Sequence, residues 1–511
     1  MFTKTLCTRS AVRCSWRSAP AMPLRAKIIN PALAVKAQMA FKSTSAASKT
    51  DSGMVNDDED VLFDSLYGLR TIELNRPNKL HSLNGSMIEK IVPRLQEWEK
   101  SDMANVVIIK GSGEKAFCAG GDVTHLAKQN LDGPEGQKKS ADYFASEYRL
   151  DHLIATYQKP YVAVMDGITM GGGVGLSVHA PIRIATEKTV FAMPETTIGF
   201  FPDVGASFFL PRMPGGLGTY LALTSDKLKG VNVYYAGIAT HYIHSTSLPA
   251  LERRLAELRF KDYLSLDERL HTIDSTIEEY ATGLPHDEPM LLSGKHRQTI
   301  DRVFGDNVAS IPEVIAELVN SPGDQQEWAQ KTLKTLKQRS PTAVHVTFRQ
   351  MKLGKKWSIK ETFEREHQIA TKFMKHPDFT EGVHALLIRK DGKPKWEYEQ
   401  LQDVEKAQKI KGQDITDDFF LVEGDRLLLL NDRDYQEYPH LKYGLPSERQ
   451  IEKVVRDAKF TVKEIVNHFV KETRGKQGVQ QVVHDVLQRK THMEHGIVAW
   501  GPQARTLASE A

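Results

Sequence analysis

Glu195 and Asp203 sit eight residues apart in MPETTIGFFPDVG, residues 193–205, among Pro, Gly and large apolar side chains. Burying a carboxylate in such company is costly unless a charge, a hydrogen bond or a chemical task accounts for it. Upstream lie two glycine turns, AFCAGGD at 116–122 and GITMGGGVG at 167–175. Each follows an apolar run, and glycine lets backbone N–H groups approach a ligand closely. One N–H from each turn, converging on a single carbonyl oxygen, makes an oxyanion hole. The turns do not suit nucleotides: the G-x-G-x-x-G spacing with a downstream acid is absent, and no G-K-[ST] follows.

Blander roles exist for each residue alone. Glu195 after Pro194 also suits the start of a turn, and Asp203 a helix N-cap before VGASFFL. Asp122 is as good an N-cap as a site residue. Cys118 reads as a small buried side chain, since no positive neighbour in sequence activates its thiol. His152, His179 and His345 lack metal-ligand spacing, and Met165, Met170 and Met193 read as apolar lining. Lys79, Arg389 and Lys390 suit either phosphates or plain solvent exposure.

The elements that must position these residues follow from the apolar pattern. The chain turns globular near Val61; LRTIELNRP reads as a strand ending at Pro77, followed by a helix and the buried strand VVIIKGS. AFCAGGD reads as a turn, YVAVMDG as a second apolar strand, GGGVGLSVHA as a glycine turn entering a helix, and RIATEKTVFAMPE as two short strands. Strand and helix alternating in this rhythm predict α/β structure with crossover connections. Residues 250–385 read as mainly helical. Past Trp396, Ser447 with Gln450 and Thr461 with Glu464 form capping boxes. Apolar faces follow at Ile451, Val454, Val455 and Ala458, at Val462, Ile465, Val466 and Phe469, and at Val479, Val482, Val483, Val486 and Leu487. Three amphipathic helices of this kind predict a small helical module over 401–511.

The sequence has 511 residues, 40% of them hydrophobic, with a net charge of +3, which by itself implies neither nucleic acid nor membrane. Residues 1–50 carry nine Lys/Arg and no Asp or Glu. Arg9, Arg13 and Arg17 recur every four residues, as do Val12 and Trp16, so a helix here has one cationic and one apolar edge, the pattern of a mitochondrial transit peptide. No run of 18 apolar residues occurs. The three Cys lack metal spacing and exclude a disulfide scaffold. From Pro439 to Lys490 there are 11 Lys/Arg against 6 Asp/Glu. That surplus fits a solvated helical surface as well as an RNA or anionic partner site.

In order and spacing, NRPNKLHSLN (75–84), AFCAGGD, GITMGGGVGLS (167–177) and FAMPETTIGFFPDVG (191–205) resemble the crotonase (enoyl-CoA hydratase/isomerase) superfamily. Within it they are most similar to the hydrolases of 3-hydroxyisobutyryl-CoA. The resemblance covers residues 60–400, ending at DFTEGVHALLIRKDGKPKW (378–396). It implies a crotonase-like spiral of ββα units with a helical C-terminal region, and a matrix enzyme of valine breakdown. It also implies that Gly121 and Gly172 donate to the thioester C=O, that Glu195 and Asp203 are the catalytic acids, and that Glu147 of SEYRL joins Gly172, Glu195 and Asp203 in binding substrate. No cofactor or metal is implied, coenzyme A being part of the substrate. Hydratases of the superfamily carry a Glu where this chain has Gly175, so the resemblance implies thioester hydrolysis in place of hydration. Some family members are similar to mitochondrial ribosomal proteins, which offers the basic extension a partner in the small ribosomal subunit, alongside or in place of activity. No membrane partner is implied.

Overall fold

The computed structural model describes residues 59–412, 414–422, 426–494 and 496–501; the expected leader over 1–50 lies outside them. A hairpin opens the fold, β1 (Val61–Leu66) pairing antiparallel with β2 (Leu69–Leu74). Helix α1 (Gly85–Lys100) follows, its N-terminus capped by the Asn84 side chain, which accepts from Met87 N–H at 2.9 Å. The chain then alternates between two sheets. β3 (Val106–Gly111), β5 (Tyr161–Met165), β7 (Ile182–Ala185) and β10 (His241–Tyr242) join the hairpin in a six-stranded sheet of order β1-β2-β3-β5-β7-β10, parallel from β2 onward. β4 (Ala116–Cys118), β6 (Ile168–Met170), β8 (Val190–Ala192) and β9 (Leu228–Lys229) form a second sheet of order β4-β6-β8-β9.

The four β-branched residues Val106–Ile109 are all buried, as a strand covered on both faces requires. Val107 and Ile109 pack toward α1 with Leu83, Ile91 and Leu95, and Val106 and Ile108 pack on the other face with Leu251, Leu270 and Ile273. The turn expected at 116–122 begins later, because Ala116–Cys118 pair with β6 before the backbone bends. Helix α2 (Val123–Asn130) leads to the long α3 (Pro134–Ala155), which starts with Pro at its first position after Gly133. The short α4 (Gly172–Val178) follows β6 directly. Further on, α5 (Leu266–Glu278), α6 (Gly294–Phe304) and α7 (Ile359–Lys375) belong to the expected helical region.

Beyond residue 400 come α8 (Leu401–Lys411), α9 (Glu448–Asp457), α10 (Val462–Glu472) and α11 (Val479–Lys490). Both expected capping boxes are present, at Ser447–Gln450 and Thr461–Glu464. Ile451, Val455, Ile465, Phe469, Val483 and Leu487 share one core. A hairpin of β11 (Thr491–Glu494) and β12 (Ile497–Trp500) completes the module, tied by Val498 N–H to Phe460 O at 3.0 Å. The sequence reading held only helices here.

The stretch after Trp396 is not simply appended. Leu401, Phe419 and Leu427 lie in the main core, and the described residues form one compact unit. Lys476 reaches from the module into the body. Its ammonium lies 2.7 Å from Glu278, 3.2 Å from Asp274 and 3.0 Å from His241 Nε2. Burial, with the Lys476 charge beside it, keeps His241 below its ordinary value. Asp274 is pushed up by burial, but the His241 bond and Lys476 outweigh this and hold it at about 2. Among the described residues no helix is long and apolar enough to cross a membrane.

Candidate active site

Three neighbouring parallel strands of the smaller sheet, β4, β6 and β8, end side by side, Cys118 beside Thr169 and Met170 beside Ala192. Their following residues carry the two glycine turns and Glu195. Ligands of parallel sheets bind at such carboxyl ends. After β4 the backbone bends at Gly120 (φ +113) and forms a parallel bridge between Leu83 and Gly121. That bridge uses Gly120 O (2.8 Å) and Asp122 N–H (2.9 Å), leaving Gly121 N–H outside the ladder. After β6, Gly171 (φ +45) turns the chain into α4, whose first residue is Gly172. The first N–H groups of a helix have no partner within it. A Cβ built on Gly172 would lie 3.4 Å from Gly121 N, so the two turns meet where the sequence placed an oxyanion hole.

Glu195 opens a 3₁₀ turn over Glu195–Ile198, closed by Gly199 at φ +72. Its Oε1 would touch a Cβ on Gly171 at 3.2 Å, and its Oε2 is buried without a partner. Asp203 accepts from the Tyr148 hydroxyl at 2.6 Å. It is not an N-cap: the helix after it starts at Ala206, behind Gly205. The next residue, Val204, has φ +53, costly for a β-branched side chain. The surroundings hold it there. Val204 O bonds His179 Nε2 (2.8 Å), Pro202 O accepts from Gln350 Nε2 (2.6 Å), and the N–H groups of Gly205 and Ser207 donate to Glu366 (2.7 and 2.8 Å).

Helix α3 supplies the rest. Glu147 Oε1 lies where a Gly172 side chain would begin, 2.5 Å from the built Cβ. Glu147, Glu195 and Asp203 are 2, 5 and 4% exposed, so the three acids found by sequence do come together in the interior. Burial, then the charge of Asp203, raises Glu147 and Glu195 well above the ordinary carboxylate range. Burial pushes Asp203 up to about 7, against the pull of the Tyr148 hydroxyl.

Two acids of this cluster escaped the sequence reading. Asp151, on the Glu147 face of α3, is fully buried, and neither of its oxygens has a partner. Burial, then Glu147, raises it. Glu366 of α7 holds the Asp203 loop, and burial pushes it up to about 8 although the N–H bonds pull the other way. The available signal was an acid in register with an apolar face: Asp151 at i+4 from Glu147, and Glu366 between Phe363 and Ile369.

Other candidates lie apart. Asp122 pairs with Arg76 at 3.1 Å, and Arg389 with Glu381 at 2.8 Å. Burial pushes the Cys118 thiol up to about 12, so it stays protonated. His152 and His179 are buried and held neutral, at about 4. A cavity of about 190 Å³ opens at the far end of α4, between Val178, Arg212 and the module residues Tyr438 and Arg489. It is not lined by Glu147, Glu195 or Asp203.

Residues 69–411 match the enoyl-CoA hydratase/isomerase family, and the chain belongs to that family. It is 58% identical over 479 residues to a protein named small ribosomal subunit protein mS47 from Neurospora crassa, covering 92% of each chain. It is 44% identical over 337 residues to the mitochondrial 3-hydroxyisobutyryl-CoA hydrolase of Danio rerio, covering 66% of this chain and 85% of the relative. Among solved structures, a carnitinyl-CoA dehydratase from Mycobacterium thermoresistibile superposes with a TM-score of 0.62 at 31% identity, over 73% of this chain and all of the other. The crotonase-type fold expected from sequence is therefore the fold present.

Proposed function

We propose that this chain is a mitochondrial matrix thioesterase that hydrolyses 3-hydroxyisobutyryl-CoA to 3-hydroxyisobutyrate and coenzyme A. One observation carries the reading: the glycine turns after β4 and β6 meet beside Glu195 after β8. The thioester carbonyl accepts from Gly121 and Gly172 N–H, which stabilise the developing oxyanion by about 3 kcal/mol per donor. Glu195 then has two routes. As nucleophile its carboxylate bonds the carbonyl carbon, the π pair moves to oxygen, and collapse breaks C–S to release thiolate and an anhydride that water opens. As base it takes a proton from water while the water oxygen forms that bond instead. In both, the thiolate leaves with a proton from an acid of the cluster. Glu147 and Asp203 bind the acyl group. The hydrolase relative and the glycine at position 175 support hydrolysis over hydration.

A second role has its own support. An alignment over 92% of this chain takes in most of residues 412–511, which the ribosomal relative therefore shares. We propose that the basic module docks on the mitochondrial small ribosomal subunit, in addition to catalysis. Thiol release from a panel of acyl-CoAs tests the first role, with 3-hydroxyisobutyryl-CoA expected to be fastest and crotonyl-CoA not hydrated. Salt-dependent co-sedimentation with mitochondrial small subunits tests the second. Hydration without thiol release would overturn the first.

A further inference from the structure

Helix α4 presents two glycines one turn apart, Gly172 and Gly175, to the acid face of α3. A Cβ on Gly172 would meet Glu147 at 2.5 Å, and a Cβ on Gly175 would meet both Asp151 oxygens at 2.7 Å. The carboxylates one turn apart on α3 thus fill the two missing side chains of α4. Position 175 is the next turn beyond the oxyanion donor, a rise of roughly 4.5 Å along the helix. A Cβ there points at the Asp151 carboxyl, one turn past the carbonyl-facing N–H of Gly172. Asp151 brings a carboxyl group to that place from another helix, and both of its oxygens are buried without a hydrogen-bond partner. A buried polar group with no protein partner is costly, and a ligand hydroxyl relieves that cost.

We propose that Asp151 is a specificity-determining residue that hydrogen-bonds the hydroxyl on C3 of the acyl chain, selecting 3-hydroxyacyl thioesters over unsubstituted ones. This rests on the thioesterase reading above and adds Asp151 to Glu147 and Asp203, which that reading gives the acyl group, by assigning it the C3 hydroxyl. The hydroxyl lies two carbons past the carbonyl, on the side of Gly175. Glu147, one turn nearer the donors, flanks the carbonyl itself. A site built to hydrogen-bond a hydroxyl rejects the analogue that lacks it far more strongly than an apolar pocket rejects an extra methylene.

The test is a pair of substrates, 3-hydroxyisobutyryl-CoA and isobutyryl-CoA, on wild type, Asp151→Leu and Asp151→Asn. Asp151→Leu should lower kcat/KM for the hydroxylated substrate about 30-fold or more while leaving isobutyryl-CoA within threefold. Asp151→Asn keeps a hydrogen-bonding group and should restore most of the preference, which a purely structural role would not do. An equal loss on both substrates, or no loss on either, overturns the proposal. If Asp151→Leu does not fold, the binding of both substrates to Gly175→Ala, whose Cβ displaces the Asp151 carboxyl, decides the matter; an unchanged preference there is refutation. Should wild type release no thiol from any thioester, the function fails separately. The proposal is then read from calorimetric affinities for non-hydrolysable thioether analogues with and without the hydroxyl, and equal affinities refute it.

Discussion

Around Glu195, the carboxyl groups of Glu147, Asp151, Glu195, Asp203 and Glu366 are buried with no Lys or Arg among their hydrogen-bond partners in the described residues. At the junction with the C-terminal module, buried and part-buried charges come in opposite pairs. Lys476 meets Asp274 and Glu278, and Arg489 meets Asp485 at 2.7 Å and Glu448 at 2.5 Å. Lys490 meets Asp301 at 2.9 Å. Removal from water has opposite outcomes in the two places. Where cations are missing, Asp203 rises to about 7 and Glu366 to about 8; where a cation sits among them, Asp274 falls to about 2. Uncompensated acids cost stability and persist where chemistry uses them. Compensated ones serve as fasteners.

The sharpest break in this contrast comes from removing charge at each place. Glu195→Gln and Asp203→Asn preserve volume and relieve buried charge, so both should fold with an unchanged or slightly raised Tm. Each should lose about 10³-fold in kcat for thiol release. Near-native turnover in either would remove that residue from the mechanism. Lys476→Met should do the reverse, leaving the acid site within a few-fold of wild type while costing about 3 kcal/mol of stability, because two carboxylates lose their cation. Faster amide exchange confined to residues 445–500 is the expected signature; an unchanged exchange pattern would show that the apolar contacts alone hold the module.

A smaller effect separates the two regions by pH. Asp203 and Glu366 have folded values of about 7 and about 8, above the ordinary unfolded range, so the native state binds more protons than the unfolded one. Their contribution is full below about pH 4 and is lost as pH rises through 7 to 8. Asp274 works the other way, contributing above about pH 4 and losing that as pH falls through 2. Thermal melts should show a decline in Tm between pH 5 and 8 that flattens in Glu366→Gln, with no such flattening in Asp274→Asn. A slope unaffected by Glu366→Gln would mean that its carboxyl does not titrate with folding.

Much of this was legible in the sequence, for local reasons. Val106–Ile109 announces a buried strand by its β-branched run, and Ser447 with Gln450 announces a helix start by a bond three residues long. Glu195, Asp203 and Glu147 were legible through their motifs, although only the fold shows that β4, β6 and β8 lie side by side. Asp151 and Glu366 were not, because a buried acid on a helix face looks like any solvated one until its neighbours are known. Gly175 is the complement of Asp151 across 24 residues, and no local rule links them. The β11–β12 hairpin escaped because two four-residue strands carry too little pattern.

Residues 428–433 run along the back of α3. Leu428 O accepts from Arg149 Nε at 2.8 Å, Asn431 bonds Thr156 at 3.1 Å, and Arg433 O bonds His152 Nε2 at 3.0 Å. These lashings grip α3 at Arg149 and His152 and at its C-cap, Thr156, while Glu147 and Asp151 face the glycines of α4. A rod bound along one flank cannot slide along its axis. A slip of a single residue would carry both carboxyl groups about 1.5 Å past the glycines that receive them. The alignment of the acids is thus set partly by a strand of chain from past residue 411, so any load a partner places on that tail is felt first by the helix that carries the acids.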